Sequence, residues 1–344
     1  MVVVKRWATE VLTPPLVIGL VLLVALSITT GPMDLPVFPS LVAVWDGVWG
    51  SGLSSLQEYE YAVVWDLRLP RTLLALMVGA ILAQCGAVMQ GMFRNPLADP
   101  GIIGVSSGAA LGAAIAIVLL PVAVQGVATP LAAFVGGLLT TLFVYSLARS
   151  GSGTSVVVLL LAGVAITAFS TAMIGLLTYL ASDTALRDLS LWQMGSFAAA
   201  SATDLILVLI TVVVIGTFFQ RKANALNALL LGESEARHLG IDVETFKRQA
   251  IVLTAVGVGI AVSVSGIIGF VGLVVPHLVR MLVGPDHRVL LPLSGLIGGG
   301  LLLLADMGAR TWMAPSEMPV GLVTAGLGAP FFMVLLFQRR KSLI

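Results

Sequence analysis

The sequence has 344 residues, of which 58% are hydrophobic and only 10% are charged, and its formal net charge is +1. A water-soluble domain carries about 25% charged residues because its surface must be solvated, so this composition excludes a soluble enzyme and a disordered chain. The apolar runs are about 20 residues long, which favours membrane-spanning helices over the shorter alternating strands of an outer-membrane barrel.

The apolar runs predict an all-α integral membrane protein with one transmembrane domain over residues 1–344. The first run follows Lys5 and Arg6 but is too long for a cleaved signal peptide, so we expect it to be a retained span. The run from Ala250 to Val283 is too long for one crossing, and its glycines indicate a reversal between two spans. The ten predicted spans are 12–30, 69–91, 102–120, 131–148, 155–180, 205–219, 250–268, 270–283, 289–307 and 320–338.

The basic residues predict the orientation of these spans, because loops rich in Lys and Arg stay on the cytoplasmic side. With ten spans and a cytoplasmic N-terminus, only Arg68, Arg71, Arg187 and Arg310 of the 18 basic residues fall outside. Nine spans would instead place the cluster at 339–341 on the outer side. We therefore predict that both termini are cytoplasmic and that the loop of residues 220–249 lies on the inner face.

Several kinds of chemistry lack their sequence signatures. The chain has no phosphate-binding loop and no His-Glu-x-x-His zinc motif. Its single cysteine, Cys85, lies in an apolar run and can form no intrachain disulfide. We predict no catalytic residue, no metal site and no cofactor bound by this chain.

Ion-coupled transporters keep acidic residues deep in the membrane as proton or sodium sites. Asp306 is the nearest candidate here, but it falls near the outer end of its predicted span, with Arg310 one helical turn later. An ion pair between these residues explains Asp306 more simply. We expect the energy for transport to come from a partner.

Nine segments, spread over nearly the whole chain, resemble the permease subunits of type II ABC importers, the FecCD or BtuC group. These importers take up ferric siderophores, haem or cobalamin. The segments are Arg68–Arg71, Gln90–Pro100, Gly104–Ala109, Leu161–Val164, Leu226–Gly232, Phe270–His277, Asp306–Arg310, Glu317–Gly321 and Gly328–Phe331.

The resemblance implies a transport subunit of the bacterial inner membrane that is not itself an enzyme. Its implied partners are a second copy of the permease, two cytoplasmic ATP-binding subunits that hold ATP and Mg, a periplasmic substrate-binding protein and an iron chelate as cargo. No nucleic acid is expected. Transport would occur by rigid-body alternation between outward and inward states.

The resemblance implies that Arg68, Arg71 and Arg310 dock the binding protein at the outer face. Guanidinium groups pair well with carboxylates, which a docking protein would supply. The alternative is that these arginines anchor helix ends, or that Arg310 pairs only with Asp306. Arg187 has no matching motif and its role stays open.

The loop of residues 220–249 resembles the paired coupling helices of the family. Ala225 to Leu231 predicts a short apolar helix that Gly232 ends, and Ser234 is expected to cap a second turn. The leucines should fill a groove on the ATP-binding subunit or pack under the bundle. The predicted ATPase contacts are Leu226, Leu229, Leu230, Gly232, Glu233, Ala236, Leu239 and Gly240.

The segment after the second span predicts a turn, because Pro96 and Pro100 stop a helix and Asn95 favours turns. In the resembling permeases, the Asn and Leu of this motif narrow the inner end of the pathway. Asn95 and Leu97 are therefore the predicted cytoplasmic gate. The family's other inner constriction corresponds here to Val156 and Val157, whose apolar side chains leave that gate open to question.

An apolar, glycine-rich lining suits a bulky, largely uncharged chelate better than a bare ion. The sequence of residues 90–109 resembles that of the haem members of the family. Haem is therefore the first expectation for the cargo, ahead of a ferric siderophore and cobalamin. Two other functions remain as alternatives. One is a secondary transporter driven by an ion gradient, and the other is a membrane anchor for a signalling complex.

Overall fold

The computed structural model describes residues 2–150 and 153–341. Fifteen α-helices are present in these ranges, with one π-helical turn at Val63–Arg68 and one 3-10 helix at Pro100–Ile103. The α-helices are Val2–Thr29 (α1), Val37–Trp49 (α2), Glu58–Ala62 (α3), Leu69–Met92 (α4), Val105–Leu119 (α5), Val122–Ala148 (α6), Val156–Leu180 (α7), Asp183–Met194 (α8), Ala202–Arg221 (α9), Ala223–Leu231 (α10), Glu233–His238 (α11), Val243–Ser265 (α12), Val271–Val283 (α13), His287–Thr311 (α14) and Val320–Lys341 (α15). Arg149–Ser150 (β1) pairs antiparallel with Gly153–Thr154 (β2).

Each of the ten predicted spans coincides with a helix, which confirms an all-α integral membrane protein. Seven helices are long and apolar enough to cross a membrane: α1, α4 with the turns that precede it, α6, α7, α9, α12 and α14. The other three, α5, α13 and α15, contain shorter apolar segments. The side chains of Lys5, Arg6 and residues 339–341, on which the predicted orientation partly depends, lie outside the described residues.

The predicted reversal between α12 and α13 is confirmed. Helix α12 ends at Gly266, which has a φ of 69°, and Phe270 adopts a left-handed conformation before α13 begins. A side chain at Gly266 would overlap the carbonyl oxygen of Trp192, at the end of α8. The backbone of Ser196 donates to the Ser265 carbonyl at 2.8 Å, which holds the reversal against the segment after α8.

Helix α4 lies at the centre of the bundle and packs against α9, α12, α13 and α14. Glycines let these backbones approach closely: a Cβ atom on Gly79 would overlap the Gly298 carbonyl, and one on Gly86 would overlap the Gly272 carbonyl. Such contacts are typical of membrane helices, where lipid provides no hydrophobic drive for association. Helices α4 and α14 run antiparallel.

Three short helices, α2, α3 and α8, occupy loops that the apolar runs do not predict as structured. Helix α2 buries Ser40 and Ala43 against the bundle and exposes Phe38, Trp45 and Trp49. Exposed tryptophans of this kind are typical of residues at a membrane–water interface. Its length of 13 residues is too short to cross the membrane, which is why hydropathy alone misses it.

Helix α7 packs loosely on the rest of the bundle. Of its 25 residues, the buried ones are Leu159, Gly163 and Ser170. A long apolar helix with so little burial is covered by lipid or by another protein in the membrane.

Candidate functional site

The predicted functional residues lie at the two ends of the antiparallel pair α4 and α14. The outer end is defined by Arg71 and Asp306, and the inner end by Gly91 and His287. Within the described residues, no group of three or more His, Cys, Asp or Glu residues could hold a metal ion. The two ends of the α4–α14 pair are held by ion pairs and hydrogen bonds.

At the outer end, Arg68 holds the end of α1. Its guanidinium donates to the carbonyl oxygens of Ile28 at 3.2 Å and Thr29 at 2.9 Å, and also to that of Met33. The last carbonyls of a helix have no partner within the helix, so a cation placed there satisfies them. Arg68 thus ties the π-helical turn before α4 to α1.

Arg71, in the first turn of α4, lies between two carboxylates. Its Nε atom is 3.0 Å from Oδ1 of Asp306, and its Nη1 atom is 2.7 Å from Oε2 of Glu317. Asp306 is fully buried, whereas 38% of the Glu317 side chain is exposed. Glu317 is therefore the surface partner of this pair of contacts.

Arg310 completes the cluster on the side of α1. Its Nη2 atom donates to the Ser27 carbonyl at 2.9 Å and to the Ser27 hydroxyl at 2.5 Å. Its Nε atom lies 3.5 Å from Oδ2 of Asp306. The hydroxyls of Ser27 and Thr72 are 2.7 Å apart, so α1, α4 and α14 meet at this point.

The structure brings the three predicted docking arginines together but buries them. Only 4% of Arg68, 8% of Arg71 and 2% of Arg310 is exposed. Their guanidinium groups contact carbonyl, hydroxyl and carboxylate groups of the chain itself. The alternative pairing of Arg310 with Asp306 is confirmed, and the docking role itself stays a prediction.

At the inner end, α10 and α11 form the two predicted short helices. Gly232 separates them with a φ of 122°, and Gly240 follows with a φ of 81°. Only glycine adopts such angles readily. The predicted cap is wrong: α11 begins at Glu233, so Ser234 lies inside the helix and Gly232 occupies the N-cap position.

The predicted contact residues of α10 and α11 divide into two groups. Leu226, Leu229 and Ala236 are buried, so they pack under the bundle, and Leu230 is half-buried. Leu239 is 63% exposed, and Leu231, which the predicted set omits, is 67% exposed. The exposed apolar surface of the coupling segment is therefore centred on Leu231 and Leu239.

Lys247 is a buried anchor that sequence reasoning missed. Its Nζ atom lies 2.6 Å from Oε1 of Glu233 and 3.5 Å from Oε1 of Glu244, and it donates to the Thr154 carbonyl at 3.2 Å. The lysine thus joins α11, α12 and β2. Its position in a basic inner loop indicates a solvated charge, and no local pattern signals the distant partners.

Asn227, on the buried side of α10, contacts the turn before α14. Its Nδ2 atom donates to Oδ1 of Asp286 at 2.6 Å, and its Oδ1 atom accepts from the His287 backbone N–H at 2.9 Å. Asp286 also accepts from the Arg288 side chain. Burial opposes ionisation of Asp286, but the hydrogen bonds from Arg288 and Asn227 outweigh it and hold its pKa well below the usual value.

The predicted gate residues form the turn that follows α4. Oδ1 of Asn95 accepts from the Leu97 backbone N–H at 3.0 Å, and the Asn95 carbonyl accepts from Ala98 at 3.1 Å. This confirms the turn predicted from the two prolines. Asn95 is exposed and Leu97 is half-buried, and their role as a gate stays a prediction.

Val156 and Val157 lie in the first turn of α7, after Ser155, whose hydroxyl caps the helix by accepting from the Val158 N–H at 3.4 Å. Val157 is 66% exposed. The start of α7 therefore presents an apolar surface, because both side chains are hydrocarbons.

A cavity of about 950 Å³ opens between α6, α8, α9 and α12. Its walls include Phe134, Trp192, Leu207 and Ile260, with the hydroxyls of Ser201 and Thr203 near its rim. None of the predicted docking, coupling or gate residues lines it. The cavity is separate from both ends of the α4–α14 pair.

Comparison with known proteins gives consistent matches. The model of the FecCD transport family matches residues 19–338. The chain is 42% identical to the hemin transport system permease protein HmuU of Yersinia pestis, over 96% of this chain and 97% of that protein. It is 46% identical to the cobalamin import system permease protein BtuC of Halobacterium salinarum, over 82% of this chain and 75% of that protein.

A solved structure of a metal-chelate type ABC transporter in an inward-facing conformation has a similar fold. The superposition gives a TM-score of 0.76 at 33% sequence identity, and it covers 94% of this chain and 99% of that one. The similarity extends over nearly all of both chains.

Proposed function

The chain belongs to the FecCD transport family and is a permease of the ABC importer type, and we propose that its cargo is haem. The observation that carries this proposal is the 42% identity to a hemin permease over 96% of the chain. A cobalamin permease is 46% identical but over 82% of the chain. A ferric siderophore or cobalamin is therefore the alternative cargo.

We propose that two copies of this chain form the pathway in the bacterial inner membrane. The extensive exposure of the apolar helix α7 supports a partner in the membrane. Cargo would arrive from a periplasmic binding protein and leave through the inner end, where Asn95 and Leu97 form the proposed gate. The chain itself performs no bond chemistry in this scheme, since ATP and Mg are held by two partner subunits.

The proposed ATPase surface is centred on two exposed leucines, one at the end of α10 and one just after α11. Leu231 and Leu239 present apolar side chains on the inner face, which is costly in water and favours a protein partner. The Lys247–Glu233 ion pair fixes α11 to α12. A push on these helices would therefore reach the bundle, and alternation between outward and inward states would follow.

The proposed docking site is the outer arginine cluster, with one change from the sequence expectation. Because Arg71 is paired with the half-exposed Glu317, a carboxylate of the binding protein would have to replace Glu317 at the guanidinium. Arg68 and Arg310 would then hold Arg71 and its helix in place without direct contact. A substitution of Glu317 is therefore the most direct test of the docking site.

The ion-coupled alternative receives no support from Asp306. The carboxylate is compensated by Arg71 and Arg310 and makes hydrogen bonds to Arg71 at 3.0 and 3.1 Å. Both oxygens of this carboxylate are thus occupied by guanidinium groups of the chain itself. Cargo flux without ATP would support the ion-coupled alternative.

The proposal is tested by uptake of iron-labelled haem into liposomes that contain this chain and its ATP-binding subunit, with ATP inside and the binding protein outside. Haem uptake that requires both ATP and the binding protein is the expected result. Uptake of a ferric siderophore or cobalamin instead, with the cognate binding protein, would keep the importer and replace the cargo. Flux without ATP would overturn the importer.

A further inference from the structure

Both polar atoms of the Asn227 side-chain amide contact one turn of the chain. Its Nδ2 atom donates to Oδ1 of Asp286 at 2.6 Å, while its Oδ1 atom is 2.9 Å from the backbone nitrogen of His287 and 3.0 Å from its Nδ1 atom. Asp286 and His287 are themselves buried. We call this set of contacts the Asn227 clasp.

The clasp joins α10 to the first turn of α14. Asp286 is the N-cap residue of α14, and its carboxylate accepts from the backbone N–H of Arg288 at 3.1 Å. Helix α14 then runs the length of the bundle to Asp306 and Arg310 at the outer end. The residue that holds α10 is therefore attached to the start of a helix that reaches the outer ion-pair cluster.

Apolar packing under α10 does not fix the position of this helix as precisely as the clasp does. Leu226 lies against Gly91 and, with Leu229, covers the bundle, but such contacts have no preferred direction. A pair of hydrogen bonds to one amide fixes distance and angle, because donor and acceptor geometry is narrow. The clasp therefore fixes the position of α10 relative to α14 more narrowly than the leucines alone.

We infer that Asn227 is a positioning residue that makes α10 and the inner end of α14 move as one body. A displacement that the ATP-binding subunit imposes on α10 is then passed to α14. This inference rests on the proposed function, since it assigns the route by which ATP drives the permease. Without the clasp, the ATP-binding subunit can displace α10 while α14 stays in place.

The main test compares Asn227→Ala with Asn224→Ala, which removes an exposed amide from the same helix. In the assembled complex, Asn227→Ala should keep ATP hydrolysis but lower cargo uptake per ATP by about tenfold, a factor within reach of one lost buried hydrogen bond. Asn224→Ala should leave the ratio unchanged. An unchanged ratio in Asn227→Ala would overturn the inference.

A charge exchange separates positioning from a general loss of stability. Asn227→Asp places a carboxylate against Asp286 and should uncouple the complex in the same way. Adding Asp286→Asn restores a carboxylate–amide contact with the roles reversed, and the amide oxygen introduced at position 286 can still accept from Arg288. Recovery of uptake per ATP in the double variant, relative to Asn227→Asp alone, is expected; no recovery would contradict the clasp.

A distance measurement tests the clasp without reference to any cargo. Spin labels at Asn224 on α10 and Leu304 on α14 use exposed positions, and the native Cys85 is buried and stays unlabelled. In the native complex, the distance between labels should not change on binding of an ATP analogue, whereas it should change in Asn227→Ala. A constant distance in both would refute the inference, while a native complex that transports nothing would refute only the proposed function.

Discussion

The Nε atom of Arg71 lies 3.0 and 3.1 Å from the two carboxylate oxygens of Asp306, although the residues are 235 positions apart. The contact ties the start of α4 to the end of α14. Arg310 and Glu317 extend it to two cations and two carboxylates, so the cluster is neutral as a whole. Buried charges persist when they are compensated in this way.

Removing the central carboxylate should destabilise the protein strongly. Asp306→Asn leaves Arg71 and Arg310 with one partly exposed acid between them, and an uncompensated buried charge costs about 3–5 kcal/mol. Glu317→Gln removes the exposed partner and should cost about 0–1 kcal/mol. Thermal unfolding in detergent, followed by tryptophan fluorescence, measures both. Equal shifts in the two variants would contradict the assignment of Asp306 as the central group.

The close approach of α4 and α13 should not tolerate a methyl group. Gly86→Ala would place a Cβ atom on the Gly272 carbonyl, and overpacking of this kind costs about 1–3 kcal/mol. Gly19→Ala is the matched control in α1, since among the described residues no heavy atom outside its own helix backbone lies within 4 Å of the position that its Cβ atom would take. The unfolding temperature should fall in Gly86→Ala alone. A similar fall in Gly19→Ala would point to a general effect of glycine replacement.

The exposed leucines of the coupling segment should matter for assembly and the buried ones for folding. Leu231→Ser combined with Leu239→Ser should weaken binding of the ATP-binding subunit by about tenfold or more, as loss of an interface anchor does, with an unchanged unfolding temperature. Leu229→Ser should lower the unfolding temperature, because its side chain is buried. Affinity capture in detergent measures the first effect. Normal assembly of the double variant would remove α10 and α11 from the interface.

Asp286 should make stability depend on acid pH. Its pKa in the folded protein lies below the usual value of 3.8, so its stabilising contribution is fully present above pH 3.8. That contribution declines as the pH falls below 3.8 towards the folded-state pKa, because the unfolded chain takes up the proton first. The unfolding temperature of the native protein should therefore fall more steeply over this window than that of Asp286→Asn. Parallel pH profiles would show that Asp286 is not responsible.

The sequence predicts the spans well because each is a long apolar run whose signal is local. The reversal near Gly266 is also local, since glycine marks the positive φ angle. Helix α2 escapes prediction because it is apolar but too short to read as a span, and α8 because it carries polar residues and gives no hydropathy signal. The residues that hold them are contributed by other elements.

The candidate sites are predicted less well because their partners are distant in the chain. The charge pattern places Arg71 and Arg310 at the outer end and predicts the local Asp306–Arg310 pair, but nothing local indicates the contacts with Arg71 and Ser27. In the same way, the run of leucines in α10 indicates an apolar helix without showing which side faces the bundle. Asn227 and Lys247 have partners 59 and 93 positions away, in Asp286 and Thr154.

The burial of Cys85 has a practical consequence for studies of motion. Its thiol is wholly enclosed in the centre of α4, and it is the single cysteine of the chain. A thiol reagent can modify it only when the packed helices separate, so the rate of modification of the native protein counts such separations directly. The native Cys85 therefore reports transient opening of the bundle, and no other cysteine has to be introduced for this measurement.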